Sequence, residues 1–447
     1  METKKELKIL LWMVVIFAGV FFLPLGSERF MTAIDATLDL SKWYAQEHVV
    51  MCLLPAFFIA GVIAVFISQG AVLKYFGANA KKWLSYTVAA VSGAILAVCS
   101  CTILPLFTSI YKRGAGLGPA IAFLYSGPAI SILSIILTWR ILGVEMGVAR
   151  MIGAITFSVV IGLIMSFIYR KEEKAKKEEQ MNIVPPPAKR PMSQTMLHFF
   201  TLVFILVFAN WGAPAADDTS SIWFYIFTYK WHITGALSLI LAYSLVTILK
   251  IKWQWVLTGV LATGLSAFLA YQFIPNPKLV PLVPMIVGIA ALSLVTLFDK
   301  RDDENREWTL SAWGFAKQIM PLLAIGVVTA GFLLGSTHDN TAIPGVIPNE
   351  WIEWAVGGNS LLSNFFASFT GAFMYFATLT EVPIIQGLLA SGMGKGPALA
   401  LLLAGPSLSL PNMLVIRGVM GTQKTVVYVT LVIIMATISG LVYGTFF

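Results

Sequence analysis

Two cysteines one residue apart are the side chains in this sequence best suited to bind a soft ligand. Cys99 and Cys101 lie in the run 97–105, inside a long apolar segment. Thiolates are good ligands for soft ions such as Cu(I) and Zn(II), and trivalent arsenic is also strongly thiophilic. Alternatively, both cysteines are small apolar side chains that pack within a helix. The pair therefore predicts either a soft-ligand site or a packing contact.

The spacing of this pair predicts a break in the helix that carries it. In an α-helix, positions i and i+2 point to opposite sides, so both thiols reach one ion only where the backbone leaves the helix. Pro105 supplies a reason for such a break, because it lacks an N–H and clashes with the carbonyl of residue 101. At membrane depth a broken segment is tolerated only where it is buried in protein or lines a cavity. A half-helix that starts after the break would favour the thiolate form.

Glu381 is the second residue whose type and surroundings indicate chemistry. It lies in an otherwise apolar stretch, and an ionisable side chain at membrane depth is costly enough to indicate a function. Burial favours the neutral form of a carboxyl group, which suits proton coupling. Alternatively, the carboxylate reaches the membrane interface or pairs with a lysine such as Lys395.

The composition indicates that these residues lie in a membrane protein. The chain is 58% hydrophobic and 12% charged, whereas soluble domains carry roughly 25% charged residues. The net charge of +8 lies mostly in short loops and in the segment 170–190, which is typical of cytoplasmic loops and not of nucleic-acid binding. The sequence has no Walker motif, and it predicts no cofactor. Its three cysteines do not form an extracellular disulfide framework.

Two parts of the chain are repeats of one another. Residues 92–131 align without a gap with residues 370–409, at a constant offset of 278. Pro105 falls on Pro383 in this alignment, and several glycines and Gly-Pro pairs also coincide. Repeats with glycine and proline interruptions at matching places are typical of secondary transporters.

The Gly-Pro pairs predict helix breaks within the membrane. The predicted hinge residues are Pro105, Gly127, Pro128, Pro383, Gly405 and Pro406. Such breaks expose backbone carbonyls and hydroxyl groups to a binding site. The polar residues expected there are Ser126, Ser131, Ser407, Ser409 and Asn412. Alternatively, small residues at these positions let helices approach closely.

The basic loops predict the topology. If 83–111 enters the membrane and returns as a hairpin, then 74–82, 112–116 and 170–190 all lie on the cytoplasmic side, as the positive-inside rule prefers. The second repeat then starts from the opposite side, with 337–357 outside. We therefore predict an all-α polytopic membrane protein with two inverted repeats, re-entrant hairpins or broken helices, and about 10–12 transmembrane helices.

The apolar runs and charged loops divide the chain into consecutive segments. They are an N-terminal span and connection (1–46), membrane repeat 1 with the cysteine hairpin (47–169), a charged and proline-rich cytoplasmic linker (170–195), central transmembrane helices with a charged loop (196–313), and membrane repeat 2 (314–447).

The cysteine run, the downstream Gly-Pro pairs and the repeat together resemble a family of bacterial predicted permeases. That family includes the ArsP-type organoarsenical efflux permeases and the YraQ-like proteins. The resemblance covers both repeats, roughly 47–169 and 314–446. It implies a multi-pass permease of the bacterial inner (plasma) membrane that exports thiol-reactive arsenicals or soft metal ions. The family's cysteine motif maps onto Cys99 and Cys101, which would be the metal or substrate ligands.

We therefore expect a secondary transporter that exports a trivalent organoarsenical or a soft ion such as copper or zinc, with Glu381 as the proton-coupling residue. Its expected partners are the lipid bilayer and a small-molecule or ion substrate, and the sequence does not specify an oligomeric state. The alternatives are transport of an unrelated small solute, a structural membrane subunit, or a membrane-embedded enzyme that uses Cys99 or Glu381 as nucleophile or base.

Overall fold

The computed structural model describes residues 10–447 except for 11–12, 15–16, 19–20, 67–80, 97–99, 131, 182–189, 213–221, 278, 300, 302, 339–340, 348–355, 375–380 and 391. In chain order the helices are α1 (Glu28–Tyr44), α2 (Leu54–Val65), α3 (Lys82–Leu96), α4 (Ser100–Lys112), α5 (Leu117–Ala129), α6 (Ile132–Leu142), α7 (Val144–Ile168), α8 (Arg170–Met181), α9 (Met192–Ala209), α10 (Ile222–Thr247), α11 (Trp253–Phe273), α12 (Leu282–Leu297), α13 (Asp303–Leu334), α14 (Leu361–Phe373), α15 (Glu381–Ala390), α16 (Lys395–Ala404), α17 (Leu410–Met420) and α18 (Thr422–Phe446). A π-helical segment, Ala45–Leu53, joins α1 to α2. The strands β1 (Gly335–His338) and β2 (Thr341–Pro344) pair as an antiparallel hairpin after α13.

Many of these helices have the length and composition of membrane spans. In the described part of the chain, six helical stretches are long and apolar enough to cross a bilayer: the continuous stretch α1–α2, and the helices α7, α9, α11, α13 and α18. The helices α12, α14, α16 and α17 are shorter and also apolar. The prediction of an all-α polytopic membrane protein is therefore confirmed, while the number of spans and the segment boundaries stay predictions.

The helices of the two repeats follow one offset. The helices α6 and α17 begin and end 278 residues apart, and so do α7 and α18. Gly143 and Gly421, which precede α7 and α18, have φ angles of +96° and +87°. That left-handed conformation favours glycine because other residues carry a Cβ atom that clashes there. The helices α3–α7 thus correspond to α14–α18.

The corresponding helices α7 and α18 run in opposite directions. At one end, the Lys424 ammonium near the start of α18 lies 5.5 Å from the ring centroid of Tyr169, which follows the end of α7. At the other end, Val144 at the start of α7 and Tyr443 near the end of α18 line the same cleft. Each helix therefore starts where its counterpart ends, as inverted repeats require.

Two polar contacts between distant segments lie near the end of the bundle where α7 finishes. There Lys424 pairs with Glu172 at 2.5 Å, and Lys112 Nζ donates a hydrogen bond of 3.0 Å to Gln318. The β-hairpin directly follows the last residue of α13, a helix of 32 residues. The basic loop 112–116 and the helix α8 thus share one end, and the assignment of this end to the cytoplasm stays a prediction.

The centre of the bundle is formed by α5 and α16. Every residue of α5 is buried, and so is α16 from Gly396 to Ala404. Short side chains allow this packing, because a Cβ atom added to Gly162 of α7 would lie 2.6 Å from the carbonyl oxygen of Gly118 in α5. The equivalent addition to Gly440 would lie 2.6 Å from the carbonyl oxygen of Gly396. Both repeats therefore use close glycine contacts between matching helices.

Candidate functional site

Arg150 and Glu381 form an ion pair in the interior, and both side chains are fully buried. Arg150 projects from α7, which carries no other charged residue between Met146 and Ile168, while Glu381 is the first residue of α15. Since α7 belongs to repeat 1 and α15 to repeat 2, this ion pair joins the two repeats.

Hydrogen bonds to repeat 1 hold the Arg150 guanidinium in place. Its Nε donates to the carbonyl oxygen of Ala129 at 3.2 Å, and its Nη1 donates to Thr138 Oγ1 at 2.8 Å. Ala129 is the last residue of α5, where carbonyl groups have no partner within the helix. Arg150 therefore completes the end of the central helix while it pairs with Glu381.

One side-chain hydroxyl group stabilises the Glu381 carboxylate by a hydrogen bond. Ser134 Oγ in α6 donates a hydrogen bond of 3.1 Å to Glu381 Oε1. The position at the start of α15 adds free N–H groups and a helix dipole that favour a negative charge. Glu381 Oε2 has no hydrogen-bond partner among the described residues, so one oxygen of the carboxylate is left to accept a proton or a ligand.

The energetics of a buried ion pair depend on both partners being present. A buried ion pair gains little net stability, but removing one partner typically costs about 3–5 kcal/mol because the other charge stays buried and uncompensated. A buried carboxyl group that loses its cation avoids this cost by taking a proton.

A second contact joins the repeats close to this pair. The Tyr125 hydroxyl in α5 donates a hydrogen bond of 3.0 Å to the carbonyl oxygen of Leu403 in α16. Ser407 Oγ donates in return to the carbonyl oxygen of Tyr125, at 3.4 Å. The end of α5, which Arg150 also contacts, therefore lies against the end of α16.

The predicted cysteine site falls largely outside the described residues. Cys99 is not described, and the backbone of Cys101 belongs to α4 while its side chain is not described. Cys52, in the π-helical segment, is buried. In the part of the chain that the structure describes, no group of three or more His, Cys, Asp or Glu side chains could hold a metal ion. The thiol site stays a prediction.

Pro105 lies inside a helix, whereas residues 97–99 lie outside the described residues, so the predicted break at the cysteines stays a prediction. The helix α4 runs from Ser100 to Lys112 with Pro105 inside it, so this helix begins before the proline. Near the start of a helix a proline removes a single intrahelical hydrogen bond, and the rest of the helix can continue past it. Pro383 is the third residue of α15, within the first turn, where the missing N–H needs no partner in the helix.

The Gly-Pro pairs lie where the central helices end. Gly127 and Pro128 are in the last turn of α5, and α6 begins at Ile132. Gly405 and Pro406 directly follow α16, and α17 begins at Leu410. Each repeat thus has a helix end and a new helix start at these pairs, and their role as hinges stays a prediction.

The predicted polar ligands differ in their surroundings. Ser126 Oγ donates hydrogen bonds to the carbonyl oxygens of Ala89 and Phe123, at 3.4 and 3.2 Å, so it takes part in the packing of α3 against α5. Ser409 and Asn412 are buried, and their Oγ and Oδ1 atoms have no hydrogen-bond partner in the described structure. Ser131 is not among the described residues.

The sequence reasoning missed the residue that defines this site. The described partner of Glu381 is Arg150, and not a lysine such as Lys395. A signal was available, because Arg150 is the one charged residue between Met146 and Tyr169, and a charge inside an apolar span indicates a function. Ser134 and Thr138 carried no such signal, because hydroxyl groups are common in membrane helices.

Comparisons with known proteins identify the family. The model of the ArsP_1 family, described as a predicted permease, matches residues 37–445. A UPF0718 protein of Methanocaldococcus jannaschii is 41% identical over 414 residues, which are 93% of this chain and 96% of that protein. No solved structure matches the chain.

Two further relatives match shorter parts. The UPF0718 protein YcgR of Bacillus subtilis is 24% identical over 33% of this chain and 51% of its own length. The UPF0718 protein YraQ of Escherichia coli is 39% identical over 13% of this chain and 17% of its own. Together with the helical membrane fold and the family model that spans both repeats, these matches show that the chain belongs to the ArsP_1 family of predicted permeases.

Proposed function

We propose that this permease-family protein is a secondary transporter of the plasma membrane, and not an enzyme, and that it exports a thiophilic solute in exchange for protons. The observation that carries the proposal is the fully buried ion pair between Arg150 in repeat 1 and Glu381 in repeat 2. Movement of one repeat against the other is the usual basis of alternating access in transporters built from inverted repeats. An ion pair across the two repeats is well placed to report and control that movement.

Proton coupling follows from the cost of separating this pair. When the repeats move apart, the Glu381 carboxylate loses the Arg150 guanidinium and takes a proton, because an isolated buried charge is unfavourable. When the repeats return, Arg150 displaces that proton. Because Glu381 takes a proton in one state and releases it in the other, each cycle carries one proton across the membrane, in the direction set by the side that each state faces.

The substrate proposal rests on the cysteine pair. Cys101 is the second residue of α4 as described, and N–H groups at a helix start favour an anionic thiolate. Two thiolates match trivalent organoarsenicals and soft ions such as copper or zinc. Binding of such a ligand releases protons from the thiols. The unpartnered polar atoms of Ser409 and Asn412 offer hydrogen bonds to a solute at the neighbouring helix ends.

Resistance of living cells tests this proposal. Cells that lack the protein and cells that carry it would be exposed to a trivalent methylarsenical, to copper and to zinc, with Cys99→Ala and Cys101→Ala as variants. Each variant should lose resistance to the transported toxicant, whereas Cys52→Ala serves as the matched control because Cys52 lies in another segment. Full resistance from a protein without cysteines would contradict a thiol-based site.

A further inference from the structure

The charged helix α8 makes contacts with both repeats at one end of the bundle. It follows α7 directly and carries many charged side chains. Such a helix commonly does no more than lie in solvent, and an isolated surface ion pair carries little weight. Glu172 and Glu173 differ from that case, because Glu172 contacts α18 of repeat 2 and Glu173 contacts α5 of repeat 1.

Glu173 ties α8 to the central helix of repeat 1. Its Oε2 accepts a hydrogen bond of 2.9 Å from the backbone N–H of Leu117, the first residue of α5. Gly116 precedes Leu117 and has no side chain that could cap the helix. A carboxylate at a helix start satisfies a free N–H group and interacts favourably with the helix dipole. Glu173 therefore supplies the cap that the local sequence of α5 lacks.

Glu172 ties the same helix to repeat 2. It pairs at 2.5 Å with Lys424, which belongs to the first turn of α18. Lys424 also shares a hydrogen bond with the Tyr111 hydroxyl of α4, and its ammonium lies 5.5 Å from the Tyr169 ring centroid. Lys424 of repeat 2 thus contacts Glu172 of α8 as well as Tyr111 and Tyr169 of repeat 1.

At the other end of the bundle, the equivalent residues of the two repeats do not make these contacts in the described structure. The residues that correspond to Tyr111, Leu117 and Lys424 at the repeat offset of 278 are Leu389, Lys395 and Met146. All of these counterparts line a cleft of about 640 Å³, together with Glu145 and Tyr443. Tyr111 and Lys424, which make polar contacts at the α8 end, therefore correspond to the apolar residues Leu389 and Met146 at the cleft end.

We propose that α8 is a latch that closes its end of the transporter by fastening α5 of repeat 1 and α18 of repeat 2 to one helix. The proposal rests on the proposed function, because a latch has a purpose only if the two repeats move. Opening of this end requires Glu172 to leave Lys424, or Glu173 to leave the start of α5.

Thiol labelling of the full-length protein tests the latch without any substrate or proton gradient. The background carries Cys52→Ser, Cys99→Ser and Cys101→Ser, and one reporter is added at Ala120 in α5, one turn from the latch. Its matched control reporter is Ala398, the counterpart at the other end, and both alanines are fully buried. The rate of reaction with a soluble maleimide is then measured for each reporter in detergent.

Glu172→Gln, Glu173→Gln and Lys424→Met should each raise the labelling rate at the Ala120 position by about two- to fivefold, as expected for the loss of a partly exposed charge contact or a helix cap. The rate at the Ala398 position should stay the same or fall. Combining Glu172→Gln with Lys424→Met should add little to either change, because both remove one contact. Glu178→Gln removes the same charge from an exposed position on α8 and should change neither rate.

Unchanged labelling in all three variants would overturn the latch, and so would an equal increase at both reporters, which would show general loosening of the fold. Neither outcome depends on the transported solute. If labelling behaves as expected but no toxicant is exported, the latch stands and the proposed function fails.

Discussion

The Tyr125 hydroxyl group donates a hydrogen bond of 3.0 Å to the carbonyl oxygen of Leu403, the residue 278 positions later that corresponds to Tyr125 in the second repeat. A contact between two equivalent positions lies close to the axis that relates the repeats. Both residues are buried, so the bond stabilises the centre of the bundle and not its surface. The ends of the two central helices are thereby fixed to each other.

Replacement of Tyr125 by phenylalanine tests that contact. Tyr125→Phe should lower the free energy of unfolding by about 1–3 kcal/mol, because it leaves a buried carbonyl group without its donor. Denaturation of the purified protein in detergent micelles gives this quantity. Tyr428→Phe is a matched control, since Tyr428 is also fully buried but its hydroxyl has no hydrogen-bond partner among the described residues. Equal losses in both variants would show that the Leu403 contact contributes nothing specific.

Separate and combined removal of Arg150 and Glu381 tests the energetics of the ion pair. Glu381→Leu should cost about 3–5 kcal/mol of stability, because Arg150 stays buried, charged and uncompensated, and Arg150→Met should cost less, because Glu381 can take a proton. The double variant should be much closer to the unaltered protein than the sum of the single effects. The same denaturation experiment supplies the three values as a double-mutant cycle. Additive losses would mean that the two side chains do not interact in the folded protein.

The close glycine contacts predict equal sensitivity in the two repeats. Gly162→Ala and Gly440→Ala should each destabilise the protein by about 1–3 kcal/mol, since the new Cβ atom meets a backbone carbonyl in a packed helix pair. Gly235→Ala in α10 is the control, because its Cβ would have no neighbour within 4 Å, and it should be neutral or slightly stabilising. A clear difference between the Gly162 and Gly440 variants would contradict the equivalence of the two helix pairs.

The sequence predicted those parts of the structure that depend on local pattern. The Gly-Pro pairs marked the ends of α5 and α16, because glycine and proline act on their immediate neighbours. The offset between the repeats anticipated the matching bounds of α7 and α18. Glu381 stood out because a carboxylate is rare in apolar surroundings.

Long-range partners could not be predicted in the same way. Arg150 lies 231 positions before Glu381 in the sequence, and only the packing of repeat 1 against repeat 2 brings them together. The continuation of α4 past Pro105 depended on where the helix begins, which single-residue rules leave open. The capping of α5 by Glu173 likewise depends on the direction in which α8 leaves α7.

Transport by purified protein in liposomes tests the central claim most directly. Uptake of a labelled trivalent methylarsenical would be measured for the unaltered protein and for Glu381→Gln, first as exchange at equal pH and then as accumulation driven by a pH gradient. Glu381→Gln keeps a hydrogen-bonding side chain but cannot carry a proton. It should retain exchange and lose accumulation, whereas Glu145→Gln, a charge removal in the first turn of α7, should retain both. Full pH-driven accumulation by Glu381→Gln would contradict proton coupling through the Arg150–Glu381 pair.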